Sequence, residues 1–342
     1  MKLGYGLITC QRYPGDPRTD ADLYREAIEL AVDAERLGLD SVWVSEHHFV
    51  DDAYMPSLLP VAAAIAARTE RVEIGTGLLL APLHDPLRLA EDAATVDLIS
   101  EGRLVLGVGL GWRREEFEAF GIPLADRRKR LVGSIKILRE SWSQGLVHGT
   151  EAMPVPGVSV TPKPPRPGGP PVWIGAFAER AVRRAGRIAD GYMAGDAPPE
   201  EFAQQVAWAR EELERRSPEE VGAFTFSIYQ PTFAWHGDDA WELVRDHHHY
   251  VSWKYEDMDG AFGRTGPPPP PPPLTPETEA ELRSRIILGS PEVVAEGIER
   301  YRQAAGDDDL HFVARLYWPG MPFQLQREAL RVFAEDVAPL LR

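Results

Sequence analysis

A glutamate and two histidines, Glu46-His47-His48, close a short apolar run at residues 40–49. Histidine titrates near neutral pH, so one held in place can give or take a proton with little tuning. The three side chains could also supply half of a metal site. Adjacent histidines on a strand point to opposite sides, however, and the chain has no H-E-x-x-H pattern, so no metal site is expected. A hydrogen-bonded histidine pair at a strand end is the plain alternative.

Glycines form a second set of candidates. Gly75 and Gly77 flank Thr76 inside an apolar stretch, where missing side chains mark either a ligand lying against the backbone or a sharp bend. Gly107, Gly109 and Gly111 fall at every second position, without the G-x-G-x-x-G spacing of a dinucleotide fingerprint. At the end of a strand they would clear space in a pocket. Arg130 follows on a helix and would reach an anionic group or remain a surface charge. The run 175–180, G-A-F-A-E-R, leads from strand to helix, where free amides suit a phosphate. Such amides occur at any strand-to-helix junction.

The elements that would hold these groups alternate regularly. Strands are expected at residues 3–9, 40–48, 72–80, 104–108, 172–175, 190–195, 224–234 and 310–316, each followed by helical sequence. In the second strand Val42 and Val44 alternate with Trp43 and Ser45, which sets His47 on the Trp43 side. If the valines face covering helices, His47 points inward at the carboxyl end of its strand. Thr19 with Asp22 forms a capping-box pattern, Gly38 stops the helix it starts, and Asp85-Pro86 opens another. Residues 150–171 read as a Pro/Gly-rich excursion. Residues 236–285 break the rhythm, with His247 to His249, several aromatic residues and a polyproline rod at 267–273. The histidine tract admits a metal reading, but a lid with an apolar underside suits the surrounding rings better. Eight alternating units predict one (β/α)8 TIM barrel over residues 1–342, with insertions between strands 4 and 5 and between strands 7 and 8. A doubly wound open sheet is the other arrangement of such units.

Composition sets the remaining bounds. With 342 residues, 44% hydrophobic and 26% charged, the chain can bury a large core. A formal charge of -16 argues against nucleic acid and against an anionic membrane surface. One cysteine, Cys10, forms no internal disulfide, and no membrane-length apolar run or leader pattern is seen, so the cytoplasm is expected.

Taken together, the motifs resemble those of the luciferase-like monooxygenase family, the group of bacterial luciferase and related flavin enzymes. The matching stretches are L-G-L-D-S-V-W-V-S-E-H-H-F, I-G-T-G-L-L-L-A-P-L-H-D-P, S-E-G-R-L-V-L-G-V-G-L-G-W-R-R-E-E-F-E-A-F-G and L-Y-W-P-G-M-P. The resemblance implies a luciferase-like barrel, usually a homodimer, with flavin across the carboxyl ends of the strands. His47 matches a catalytic histidine, with Glu46 and His48 expected to orient it. Thr76 and Gly77 match a bulge, often with a non-prolyl cis peptide, against the flavin ring. Arg130 and the segment Ala176, Phe177, Ala178 to Arg180 match the phosphate contacts. Leu110 replaces an arginine of bacterial luciferase, and Phe177 and Ala178 replace a glutamate and a serine, so the departures fall on the phosphate grip.

The activity so implied is that of a two-component monooxygenase. Reduced FMN from a separate NAD(P)H flavin reductase would react with oxygen through a flavin hydroperoxide and oxygenate a small, apolar organic substrate. The alternative on the same fold is a dehydrogenase or reductase using the deazaflavin coenzyme F-420. A flavin-binding barrel without catalysis is the third reading.

Overall fold

The computed structural model describes residues 1–217, 222–260, 263–306 and 310–342. Eight parallel strands close into a barrel: β1 (Lys2–Ile8), β2 (Ser41–Val44), β3 (Glu73–Thr76), β4 (Leu104–Val108), β7 (Val172–Gly175), β8 (Gly191–Gly195), β9 (Thr225–Ala234) and β11 (His311–Arg315). They neighbour one another in that order, and β9 completes the ring by pairing with both β8 and β11. Helices fill the crossovers, as the alternating sequence pattern requires.

Side-chain alternation divides the barrel into two layers. Leu7, Trp43, Val105, Trp173, Met193 and Val313 pack inside the ring. Val42, Val44, Ile74, Leu106, Ile174 and Phe312 face outward into the main core under the helices. Trp43 and the two valines thus lie on the sides their spacing predicts.

Local signals account for the helix ends that set the loops. The side chain of Thr19 accepts from the Asp22 amide at 3.2 Å and the Asp22 carboxylate accepts from the Thr19 amide at 3.0 Å, capping α1 (Asp20–Arg36). Gly38 follows it at φ +85°, a left-handed conformation that costs glycine little. Asp85 accepts from two first-turn amides of α3 (Pro86–Ile99), whose Pro86 gives up only an amide that would be free anyway. Between α1 and α3 lies the short α2 (Leu58–Ala66).

The insertions are more ordered than their composition predicts. Between β4 and β7 come α4 (Arg114–Ala119), α5 (Arg127–Trp142) and an antiparallel hairpin, β5 (Val147–Thr150) with β6 (Met153–Val158), of which β6 falls within the expected excursion. Helices α6 (Glu179–Ile188) and α7 (Pro199–Leu213) follow β7 and β8. The stretch 236–285, expected to be irregular, is largely helical, with α8 (Ala240–Asp257) and α9 (Pro276–Ser284). Residues 268–275 carry no regular hydrogen-bonded structure, and 261 and 262 lie outside the described residues. A three-residue strand, β10 (Ile287–Gly289), then adds to the far end of β9, followed by α10 (Pro291–Ala305) and, after β11, α11 (Phe323–Val332). Polar spacing hid α8 because it buries polar groups: His248, Tyr250 and Lys254 are all on its covered side. Among the described residues no helix is long and apolar enough to cross a membrane.

Candidate active site

His47 lies three residues beyond the end of β2. Backbone bonds from Ser45 to Ile8 and from His47 to Met55 hold the segment that carries it. Its ring meets Tyr54 edge-on with centroids 4.9 Å apart, Tyr255 at 5.8 Å and Trp112 at 6.0 Å. These rings come from the loop after β2, from α8 and from the loop after β4. The Tyr54 hydroxyl donates to Ser45 at 2.9 Å and lies 3.2 Å from that of Tyr255, so α8 is latched to the β2 loop over the histidine.

The residue that orients His47 is Glu116, on α4. Its fully buried Oε1 lies 2.9 Å from Nδ1 of His47 and also accepts from the His48 amide at 2.9 Å. A carboxylate only accepts, so Nδ1 donates and Nε2 is left to exchange a proton at the mouth. Arg113, buried beside them, donates to the His48 carbonyl at 2.6 Å and to the Met258 carbonyl at 3.0 Å. That arginine ties the β2 loop to the end of the lid.

Glu46 and His48, expected to orient His47, form a separate network. Oε1 of Glu46 lies 2.6 Å from Nε2 of His48 and 3.0 Å from Nε2 of His84, while Oε2 accepts from the Leu80 amide at 3.1 Å. Burial opposes the Glu46 charge, but the bonds from His48 and His84 outweigh it and hold its pKa at about 2. His84 loses by burial and gains more from Glu46, so its pKa is raised. The ligating atoms of Glu46, His48 and His84 lie within 4.8 Å of one another, a donor set that suits a metal ion as well as shared protons. Spacing in sequence could not show it, since His84 comes from a different loop. His247 and His248 serve as lid contacts, bonding the carbonyls of Pro319 and Leu282.

The glycines divide by what fills the space they leave. A Cβ on Gly75 would fall 2.2 Å from the Trp43 indole, so Gly75 makes room for a core side chain and not for a ligand. Thr76 is buried and donates to the Gly107 carbonyl at 2.7 Å. The peptide from Gly77 to Leu78 is cis. Leu78 projects across the barrel end, where a Cβ on Gly109 or Gly175 would strike it at 3.2 Å or 2.0 Å. Gly109 and Gly175 therefore seat Leu78, whereas Gly107 admits the Thr76 carbonyl and Gly111 the Phe117 ring; the Leu78 side chain, half-buried, forms an apolar floor with Leu7 and Met193. Leu110 packs at the edge of the main core.

The expected phosphate segments present donors of a different make-up. Arg130 donates through Nε to the Pro82 carbonyl at 2.6 Å and through Nη2 to the His84 carbonyl at 3.3 Å, bracing the loop after β3. Ala176 is buried, with its carbonyl accepting from Tyr192 at 2.9 Å, whereas Phe177 is 60% exposed. Ala178 begins α6 with no side-chain cap, which leaves first-turn amides free. Beside them is a pocket of about 600 Å³ lined by Arg128, Arg180, Arg183, Arg184 and Arg187. Arg183 and Arg187 are paired with glutamates. Arg128, Arg180 and Arg184 have no ion pair among the described residues. Burial, with the neighbouring Arg128 and Arg187, lowers the pKa of Arg184. In a chain of charge -16, these unpaired cations concentrate positive charge beside the free amides of α6.

A profile described as luciferase-like monooxygenase matches residues 1–308. The oxygenase component of a flavin-dependent trigonelline monooxygenase from Acinetobacter baylyi is 32% identical over 174 residues, 50% of this chain and 48% of that one. An F420-dependent glucose-6-phosphate dehydrogenase from Amycolatopsis mediterranei is 36% identical over 177 residues, 49% and 53% of the two chains. The chain thus spans about half the length of the curated relatives it matches. The crystal structure of the monooxygenase RslO1 from Streptomyces bottropensis superposes with a TM-score of 0.82 over 99% of both chains at 23% identity, a likeness of fold.

Proposed function

This chain belongs to the luciferase-like monooxygenase family, and on that premise we propose that it is the oxygenase component of a flavin-dependent monooxygenase. The observation that carries the reading is His47, held through Nδ1 by buried Glu116 and enclosed by Tyr54, Trp112 and Tyr255. Reduced FMN, when bound, would supply the electrons that activate oxygen. The chain's own part is to hold the phosphate with Arg128, Arg180, Arg184 and the amides at the start of α6. Leu78 and the Gly77 segment would support the ring. His47 moves a proton at Nε2, and the aromatic enclosure under α8 keeps water away from a species that water would drain to peroxide. Glu46, His48 and His84 hold the loops on either side. The oxygenase-component relative supports a separate reductase as electron source, and the family supports a homodimer.

A second reading, hydride transfer with the deazaflavin F-420, is supported by the 36% identical dehydrogenase. Anaerobic titration with reduced FMN and with reduced deazaflavin, followed by mixing with oxygen, separates the two. Tight binding of reduced FMN and an oxygen-dependent transient before flavin reoxidation are expected. Selective deazaflavin binding with no oxygen dependence would replace this proposal by the second reading.

A further inference from the structure

Arg315 ends β11 on the inward side, two residues after Val313 of the barrel interior. It is 6% exposed, and its Nε and Nη2 have no hydrogen-bond partner. Among the described residues it forms no ion pair. Asp196, the carboxylate that feels its charge, is taken by Arg285 at 2.6 Å. The guanidinium carbon lies 5.9 Å from the Tyr255 ring, the same ring that meets His47 at 5.8 Å. Tyr229 stands beside it on β9, in register with Val313. A buried guanidinium without a counter-charge is costly, and folds keep such groups where a ligand completes them.

We infer that Arg315 receives a carboxylate of the organic substrate, whose apolar body lies among Tyr54, Tyr229 and Tyr255 with its reacting atom toward His47. The planar fork of an arginine matches a carboxylate with two parallel bonds. Its place in the ring favours the substrate over the cofactor phosphate. β4, which precedes Gly109, lies four strands round the barrel from β11, and the arginine pocket by α6 is on that far side. A reduced flavin, whose pyrimidine edge can carry negative charge, is the competing anion, and the test below separates the two. The lid's aromatic residues predict an apolar substrate; Arg315 adds an anionic end to it. That the bound acid is oxygenated rests on the function proposed above, whereas its binding does not.

The test is calorimetric titration of the full chain with benzoate, phenylacetate, indole-3-acetate and hexanoate, each against its primary amide, in the wild type, Arg315→Met and Arg315→Lys. At least one acid is expected to bind the wild type about tenfold or more tightly than its amide, a difference of about 1.4 kcal/mol. Arg315→Met should abolish that preference, Arg315→Lys should keep part of it, and affinity for reduced FMN should be unchanged. Arg315→Met should melt no lower than the wild type, since it removes an unpaired buried charge. Amides binding as well as their acids, or a preference that survives in Arg315→Met, would overturn the inference. A loss confined to reduced FMN would assign the guanidinium to the flavin, and a lower melting temperature in Arg315→Met would assign it to the fold. Because equilibrium binding needs no oxygen chemistry, its failure and the failure of the oxygenase reading are separate results.

Discussion

His47 and Glu116 are 69 residues apart in the chain and 2.9 Å apart in the fold, with the glutamate fully buried. The same carboxylate oxygen holds the His48 amide, so one side chain fixes both the ring and the loop that carries it. Replacing Glu116 by Gln keeps the shape and removes the charge that anchors Nδ1. Product formation is expected to fall about tenfold to a hundredfold, and His47→Ala to cost about a hundredfold or more. Both variants should retain reduced FMN and release more hydrogen peroxide per flavin oxidised. A His47→Ala enzyme that forms product at the full rate would end the assignment of this proton position.

The arginine pocket separates phosphate from ring recognition. Arg184→Ala and Arg128→Ala should each weaken FMN by about tenfold, the scale of one charge-assisted contact. Riboflavin, lacking the phosphate, should bind wild type and variants alike. Fluorescence titration with the two flavins decides it, and equal losses for both would move the phosphate elsewhere.

The lid is anchored by charge. Lys254, wholly buried on α8, is bonded to buried Asp51 and lies 2.7 Å from Asp257, and Arg264 shares both carboxylates at 2.9 Å and 2.8 Å. Lys254→Met leaves two carboxylates with one cation. A loss of about 3 kcal/mol is expected from breaking such a buried cluster. Thermal denaturation should show a drop of roughly 4 °C at that cost for a chain of this size. An unchanged melting temperature would mean that Arg264 alone suffices.

Two buried histidines contribute to the loss of stability in acid. Burial lowers His248 to about 4 and His311, beside Ser41 at 2.7 Å in the barrel floor, to about 3. Both values lie below the ordinary 6.5 of an unfolded histidine, so the unfolded chain takes up these protons first as pH falls. Their contribution is complete above pH 6.5 and is lost as pH drops toward 4 and then 3. Each costs about 1.4 kcal/mol per pH unit in that range. His248→Gln keeps a donor for the Leu282 carbonyl and should flatten the slope of stability against pH by that amount between pH 6 and about 4.5, as read by urea unfolding.

The histidine pair, the strand count and the parity of Trp43 were legible from spacing, because a strand's period of two and a helix's of 3.6 are local properties of the chain. The same locality explains the capped ends of α1 and α3. Glu116, Arg113 and Arg315 carried no such signal, since an acidic or basic residue in a helix or at a strand end reads as solvated until burial is known. Gly75 looked like a flavin contact and proves to accommodate Trp43, because what occupies the space beside a glycine comes from another strand. The partner of each charged group is likewise chosen by packing: Glu46 faces His84 across two loops, and Glu116 reaches His47 only because α4 folds over the end of β2. The sequence by itself determined the barrel and the histidine at its rim, through periodicity and residue type. The tertiary structure decided which carboxylate orients that histidine and which cation is left without a partner, because both depend on burial and proximity between residues far apart in the chain.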